Sequence, residues 1–529
     1  MSMTRRNALA RLAGLVAIGA VPRGSWAAAG SSDPLAGTIA AYLAGLEAGD
    51  WTAAEITAQA LERCRTDGAA WRAIDVLDAD TALADARAAD ARRRNGRRLG
   101  PLDGVPVFAK SIYDMKGLPT TASSAEWARL FPERIARDAL EVARLRAGGA
   151  IVLGKTAADD FAYRGNGTSS HTGQVLNPYD KSGTRTPGGS SAGSAVAVAG
   201  AMAFAALGTD DGGSNRIPAQ FSGVVGMKPT FGLVPRTGVI PTWPYLDTHG
   251  PLARTVADAA LLLAVIAGPD PSDPLTLESA WHLPALRDDA LDGVRLGLVE
   301  VHVPREAMTA EALSVWDRAV EDLRAAGALV EVFTPAVTRE TVQEAFALAA
   351  TKRGDAAPDP RSPAPTANAL YQYFAGRTDD PRAAIRRGYA AYRAFYDVLP
   401  PSYKECEPLL ERPMDEDPAG QSFARSRADV LAELAASMRS QRVAAMVYPT
   451  MPFNAPRAVD DWPDVRTPLG YGNWLGLPEV SVPAGYGADG MPALNLSIVG
   501  LPGEDAQVLA WAHAFERQAP RFVAPPRPL

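Results

Sequence analysis

Residues 186–218 constrain this chain more than any other stretch. Two glycine-flanked serine turns, Thr186-Pro-Gly-Gly-Ser-Ser-Ala-Gly-Ser194 and Gly208-Thr-Asp-Asp-Gly-Gly-Ser-Asn-Arg-Ile-Pro218, bracket a run rich in Ala and Val. Small residues over Ser191–Met202 predict a helix, and Ala203–Leu207 predicts a buried strand. Glycines let both turns bend sharply and leave their backbone N–H groups uncovered. Upstream, a lone lysine, Lys110, ends the apolar run Val105–Ala109, a strand candidate. A serine hydroxyl beside a desolvated lysine can become a nucleophile without histidine. Bare N–H groups next to it can stabilise an oxyanion.

Around this segment, strand and helix patterns alternate. A helix over Asp138–Ala147 and a strand over Ala150–Leu153 come before the turns. Helix Val256–Ile266, strand Val294–Glu300, helix Ala307–Ala325 and strand Leu329–Phe333 follow them. The pattern resumes with helix Ser422–Ser440, strands Ala445–Tyr448, Glu479–Val482 and Leu494–Val499, and helix Glu504–Arg517. Such alternation predicts an α/β fold with a mainly parallel sheet. Near the start, Thr52-Ala-Ala-Glu55 has the form of a capping box opening a helix to about Arg65. Residues 352–420 differ: rich in Pro, Arg, Asp and Tyr, they show one helical stretch near Arg382–Tyr396 and read as an insertion or lid.

The N-terminus has a separate logic. Paired arginines at Arg5 and Arg6 precede the apolar run Leu12–Val21 and the small residues of Ser25–Ala29. That order predicts a Tat-type signal peptide over 1–29 and delivery to the periplasm or the medium. The run falls short of a bilayer span, so no stable membrane span is expected. Residues 30–519 then read as a single domain and 520–529 as a Pro-rich tail.

Composition mainly excludes. A formal charge of −7 and the lack of an extended basic face argue against nucleic acid. The one basic cluster, Ala91–Arg98, closes a helical pattern, where cations favour the C-terminus. Cys64 and Cys406 have no zinc spacing, and whether they pair stays open. His171, His249, His282, His302 and His513 are scattered singly, so no metal site is expected.

The turns lack the Gly-Lys-Ser/Thr of a phosphate loop and the GxGxxG of a dinucleotide fold. Instead they resemble the amidase signature family, whose signature is a Gly-Gly-Ser-Ser-Gly-Gly turn followed by Gly-Thr-Asp-x-Gly-Gly-Ser-x-Arg-x-Pro. Ordered matches continue through Gly100–Pro106, Ala147–Lys155, Gly223–Thr230, Gly250–Asp258, Tyr448–Pro452 and Leu475–Pro483. The resemblance implies the amidase signature fold, a large mixed, mainly parallel sheet covered by helices on both faces. It also implies a Ser–cis-Ser–Lys triad: Ser214 as nucleophile, Ser190 as bridge on a cis peptide after Gly189, and Lys110 as base. For Lys110 to accept a proton near neutrality, its pKa must fall from about 10.4 to near 7. The N–H groups of Asp211, Gly212, Gly213 and Ser214 would face the oxyanion, with Ser191, Asp210 and Arg216 as structural support.

The implied reaction is amide hydrolysis through an acyl-enzyme on a small-molecule amide, with no cofactor, in an exported enzyme resembling peptide amidases. An esterase or carbamate hydrolase with the same triad, and a non-catalytic periplasmic binding protein on the same scaffold, are the alternatives. Export argues against a transamidating role on charged tRNA. Pocket walls are expected from Tyr113, Trp127, Phe161, Ala162, Tyr163, Gly189, Trp243, Tyr245 and Trp474. Oligomeric state stays open. The chain departs from the family pattern at Ser111, Ala157, Ala192 and Asp211. A carboxylate at Asp211, beside the oxyanion site, would repel acidic substrates or bind an amine.

Overall fold

The computed structural model describes residues 33–278, 281–459 and 469–528. The signal-peptide reading of 1–29 therefore lies outside the described residues. Strands β1 (Ile74–Leu77), β2 (Pro106–Lys110) and β3 (Ile151–Thr156) come first, then a separate small hairpin, β4 (Thr168–Ser169) and β5 (Gly173–Gln174). Next are β6 (Ala205–Asp210), β7 (Val225–Lys228) and β8 (Thr248–Ala253). The last five are β9 (Arg295–Leu298), β10 (Leu329–Val332), β11 (Ala445–Pro449), β12 (Glu479–Tyr486) and β13 (Pro492–Val499).

Among the described residues, eleven strands form one mixed sheet in the order β1-β3-β2-β6-β8-β7-β12-β13-β11-β9-β10. Parallel pairing lies in two blocks, β3–β2–β6 and β11–β9–β10. The joins between the blocks, and β1 on the edge, are antiparallel. Much of that antiparallel centre comes from β7 and β8, which apolar patterning did not reveal. Every residue of β2, β3 and β6 is buried, so the sheet is covered on both faces there. Helices packing on the sheet include Ala192–Ala199 against β6, Val256–Ile266 against β8, Ala310–Ala325 against β13 and Asp505–Glu516 against β12.

Local rules set several boundaries. Thr52 and Glu55 form the reciprocal capping box that opens helix Ala53–Arg65. Thr255 accepts from the Asp258 N–H and starts helix Val256–Ile266. Helix Ala192–Ala199 is buried along its whole length. It presses so closely on the backbone of Ala73 and Ala157 that a Cβ at Gly193 would collide with both. Gly193→Ala is therefore expected to destabilise the protein by about 1–3 kcal/mol, read as a lowered midpoint in thermal unfolding.

Within 352–420 the structure adds helix Pro363–Ala375 to the expected one, which runs Pro381–Arg393. Pro363 and Pro365 disguised the first as loop, yet proline is tolerated in a helix's opening turn. These helices and the turn after the second carry aromatic rings onto Trp127 and Phe161: Phe374 and Tyr392 approach Trp127, and Tyr392 and Tyr396 approach Phe161. Cys64 and Cys406 are buried and unpaired. The Pro-rich end is tied to the body: Tyr179 donates to the Val523 carbonyl (2.6 Å) and Arg521 to that of Ala484 (3.1 Å). Among the described residues, no helix is long and apolar enough to cross a membrane.

Candidate active site

Three chain segments converge at one end of the paired strands β2 and β6. Lys110 is the last residue of β2 and is fully buried. Its Nζ donates to Ser190 Oγ at 2.6 Å and to Thr209 Oγ1 at 2.8 Å. Burial holds its pKa down at about 8, against the opposing pull of the Asp211, Asp159, Asp247 and Asp210 carboxylates. Those carboxylates explain why it stops short of 7. The Gly189–Ser190 peptide bond is cis, as the family resemblance implies. Gly189 has no room for a side chain, because a Cβ there would strike the Asp159 carboxylate.

Ser214 stands on the second turn and is 8% exposed. The two turns are tied together through backbone: the Ser191 N–H donates to the Ser214 carbonyl at 3.1 Å. Ser191 Oγ donates to Asn215 Oδ1 at 3.1 Å and accepts from the Thr209 N–H at 3.3 Å. Thr209 and Asn215 thus belong to the site although sequence reasoning passed over them. Both lie inside the second signature turn, which was the available signal. Thr209→Val would leave Lys110 with one hydroxyl partner. It is expected to lower kcat/KM about tenfold, through kcat, in steady-state kinetics.

Asp210 and Arg216 form the expected brace, and it reaches further than the sequence indicates. Arg216 meets Asp210 through two bonds, Nε to Oδ2 at 2.9 Å and Nη2 to Oδ1 at 2.8 Å. Its Nη1 donates to Glu479 Oε2 at 2.6 Å, and Nη2 also reaches Asn473 Oδ1 at 2.7 Å. All three charged residues are fully buried. Burial alone would raise the Asp210 carboxyl, but Arg216 and nearby donors hold it far below the usual range. One of those donors corrects the expected oxyanion set: the Gly213 N–H is bound to Asp210 Oδ1 at 2.8 Å. A carboxylate three residues back captures that N–H in a local turn. The N–H groups of Asp211, Gly212 and Ser214 have no partner among the described residues. Gly212 is exposed, and a Cβ there would meet nothing within 4 Å, so the turn faces open space.

The expected pocket residues separate. Tyr113 is buried, donates to the Gly208 carbonyl at 3.1 Å and packs on His249, so it supports the strand from behind. Trp127 and Phe161 are core. Trp474 packs edge-on against Phe346 and Phe423 in a second apolar cluster, where Tyr245 also packs on Phe423. Ala162 lies buried in a left-handed turn with Phe161. Tyr163, 43% exposed, and half-buried Trp243 both meet Tyr396 from the helical layer. His249, read as a single structural histidine, sits between two carboxylates: Nδ1 is 2.6 Å from Glu141 and Nε2 is 3.3 Å from Asp247. Burial opposes its charge, but Asp247 and Glu141 prevail and raise it to about 9. Among the described residues no group of three or more His, Cys, Asp or Glu is placed to hold a metal ion.

Residues 55–509 match the family model described as Amidase. The chain is 36% identical over 511 residues to the A-type subunit of the glutamyl-tRNA(Gln) amidotransferase of Chloroflexus aurantiacus, covering 92% of this chain and 98% of that protein. Among solved structures it is similar to native peptide amidase from Stenotrophomonas maltophilia, with a TM-score of 0.73 and 30% identity over 93% of this chain and 98% of that one. A bacterial aryl acylamidase of the amidase signature family shares the fold, with a TM-score of 0.69 at 22% identity, over 91% of this chain and 96% of that one. With both serine turns, their lysine and this sheet in place, the chain belongs to the amidase signature family, enzymes that hydrolyse amide carbon–nitrogen bonds.

Proposed function

We propose that this amidase works through an acyl-enzyme on Ser214, with Ser190 and Lys110 relaying the proton, and that its substrate is a small amide met outside the cytoplasm. One observation carries the mechanism: a fully buried lysine whose Nζ contacts two hydroxyls, Ser190 and Thr209, and no carboxylate. Without an ion pair to hold its proton, burial makes Lys110 a usable base. Neutral Lys110 takes the Ser190 proton while Ser190 takes that of Ser214, and Ser214 Oγ attacks the amide carbon. The negative oxygen is received by the N–H groups of Asp211, Gly212 and Ser214. The relay then runs backwards, protonating the nitrogen as the C–N bond breaks. Water attacks the ester by the same route and frees Ser214.

The pH dependence follows in sign. The base must be uncharged, so kcat/KM should rise with pH and level off above about 8. At pH 7 roughly a tenth of Lys110 is neutral. A pH–rate profile on a neutral amide checks this, and a rate that falls between pH 6 and 8 would contradict it.

The twin-arginine start supports export, and similarity to a peptide amidase supports a small amide substrate. The amidotransferase relatives support a second reading, in which the chain works within a complex of several proteins. Ammonia release by the purified chain alone, on a panel of primary amides beside p-nitrophenyl esters, separates these readings. Turnover of amides that vanishes in Ser214→Ala is expected. Ester turnover without amide turnover would favour the esterase alternative, and no turnover without partners the reading as part of a complex. Cell fractionation with Arg5→Lys and Arg6→Lys together tests export; unchanged distribution counts against it.

A further inference from the structure

We infer that Asp211 selects amides carrying a positively charged nitrogen a few bonds from the carbonyl, its carboxylate serving as the counter-ion for that group. The inference rests on the amidase reading above. Asp211 stands three residues before Ser214, on the turn whose N–H groups face open space at Gly212. Both of its carboxylate oxygens are shielded from solvent, and neither has a hydrogen-bond partner among the described residues. A buried carboxylate with no donor to either oxygen is costly. An unmet acceptor beside the reacting atoms is what a substrate donor would satisfy.

The cations around it are engaged elsewhere. Lys110 is directed at two hydroxyls. Arg216 is held by Asp210 and Glu479, and His249 lies between Glu141 and Asp247. Arg236 gives Nε and Nη2 to Asp273 and Nη1 to the Pro244 carbonyl. The nearby tyrosines are committed as well: Tyr392 donates to the Pro241 carbonyl at 2.8 Å and Tyr396 to that of Phe161 at 2.6 Å. Burial first and the charge of Asp247 second push the Asp211 carboxyl well above its ordinary range, while Lys110 and His249 pull the other way. Before substrate binds, the Asp211 carboxyl therefore favours its protonated form, and a bound cation would draw it to the ionised one. An ammonium group would supply the missing charge and hydrogen bonds together. A carboxylate in the same place would be repelled.

The test compares amides of nearly equal shape: 4-aminobutanamide, pentanamide and succinamic acid, with 3-aminopropanamide and 5-aminopentanamide to vary the reach. The wild-type enzyme is expected to favour the best ammonium amide over pentanamide by about tenfold or more in kcat/KM and to reject succinamic acid. In Asp211→Asn that ratio should fall to within about threefold of unity, and discrimination against succinamic acid should relax. Asp211→Ser gives the same reading should the first variant not fold, and the wild-type ratio depends on neither. Pentanamide turnover with no cation preference, or a preference that survives both substitutions, overturns the inference alone. A fall in all rates at constant ratio overturns it too, since that marks a role in holding the turn. Turnover of no amide at all defeats the functional reading beneath it.

Discussion

Lys110→Ala is expected to reduce kcat/KM for any amide by about a thousandfold or more, the loss falling on kcat. The groups around it offer no substitute base among the described residues. His249 is locked between Glu141 and Asp247, and Asp159, pushed up to about 6 by burial, accepts the Gly167 and Thr168 N–H groups. Lys155 and Lys228 are also buried and lowered, to about 8 and about 7, but their amines point elsewhere: Lys155 to the Pro119 carbonyl and Thr120, Lys228 to the Pro229 carbonyl. Arginine cannot replace Lys110, since guanidinium does not deprotonate in a protein. Activity should be measured near pH 9, where the wild-type lysine is mostly neutral. Lys110→Met preserves most of the packing and removes the amine. It should be as inactive as alanine while unfolding no more readily than wild type, because a buried ammonium no longer has to be desolvated. Residual activity above about a tenth in either variant would remove the lysine from the mechanism.

The second large effect concerns stability. Arg216→Leu is expected to destabilise the fold by roughly 3–5 kcal/mol, because it strands Asp210 and Glu479 in the interior without their shared cation. Lys228 would recover part of this, since burial and the neighbouring Arg216 now hold it down, and removing Arg216 lets it charge more readily. Activity should fall further than stability alone requires. Asp210 also receives the Gly213 and Asn215 N–H groups, so releasing it loosens the turn that carries Ser214. Arg216→Lys should rescue little, because one ammonium cannot reproduce a fork that meets two carboxylates and Asn473 at once. Denaturant unfolding, with activity followed at low denaturant, checks both parts. A loss under about 1 kcal/mol, with intact turnover, would show the network to be dispensable.

Much of this was legible in the residues themselves. β2, β3 and β6 open on apolar residues, which declare a strand buried on both faces, though β3 and β6 run on through Gly154-Lys-Thr156 and Gly208-Thr-Asp210 beyond the part that patterning marked. Helix Val256–Ile266 was marked by its apolar pattern, and the structure adds its Thr255 cap. β7 and β8 were not legible, because Val225-Gly-Met-Lys228 and Thr248-His-Gly-Pro-Leu-Ala253 mix glycine, proline and charge. Their strand character comes from their neighbours: Glu479 and Ser481 lie opposite Lys228 and Gly226, and Ala205–Asp210 runs along the whole of β8. Aromatic pocket walls were the weakest reading, since Tyr113 and Trp474 look alike in sequence and differ only in what packs on them.

What the sequence by itself determined was the candidate chemistry: two serine turns and a lysine closing a strand are local properties of the chain, and the family resemblance implies which hydroxyls and which amine would meet. What only the tertiary structure decided was the state of those groups. Glu479 reaches Arg216 across 263 residues, and the charge of Asp247 bears on the Asp211 carboxyl from a separate segment. A pKa or an orphaned carboxylate depends on the sum of such distant neighbours and on water excluded by the packed fold, and no run of adjacent residues contains that sum.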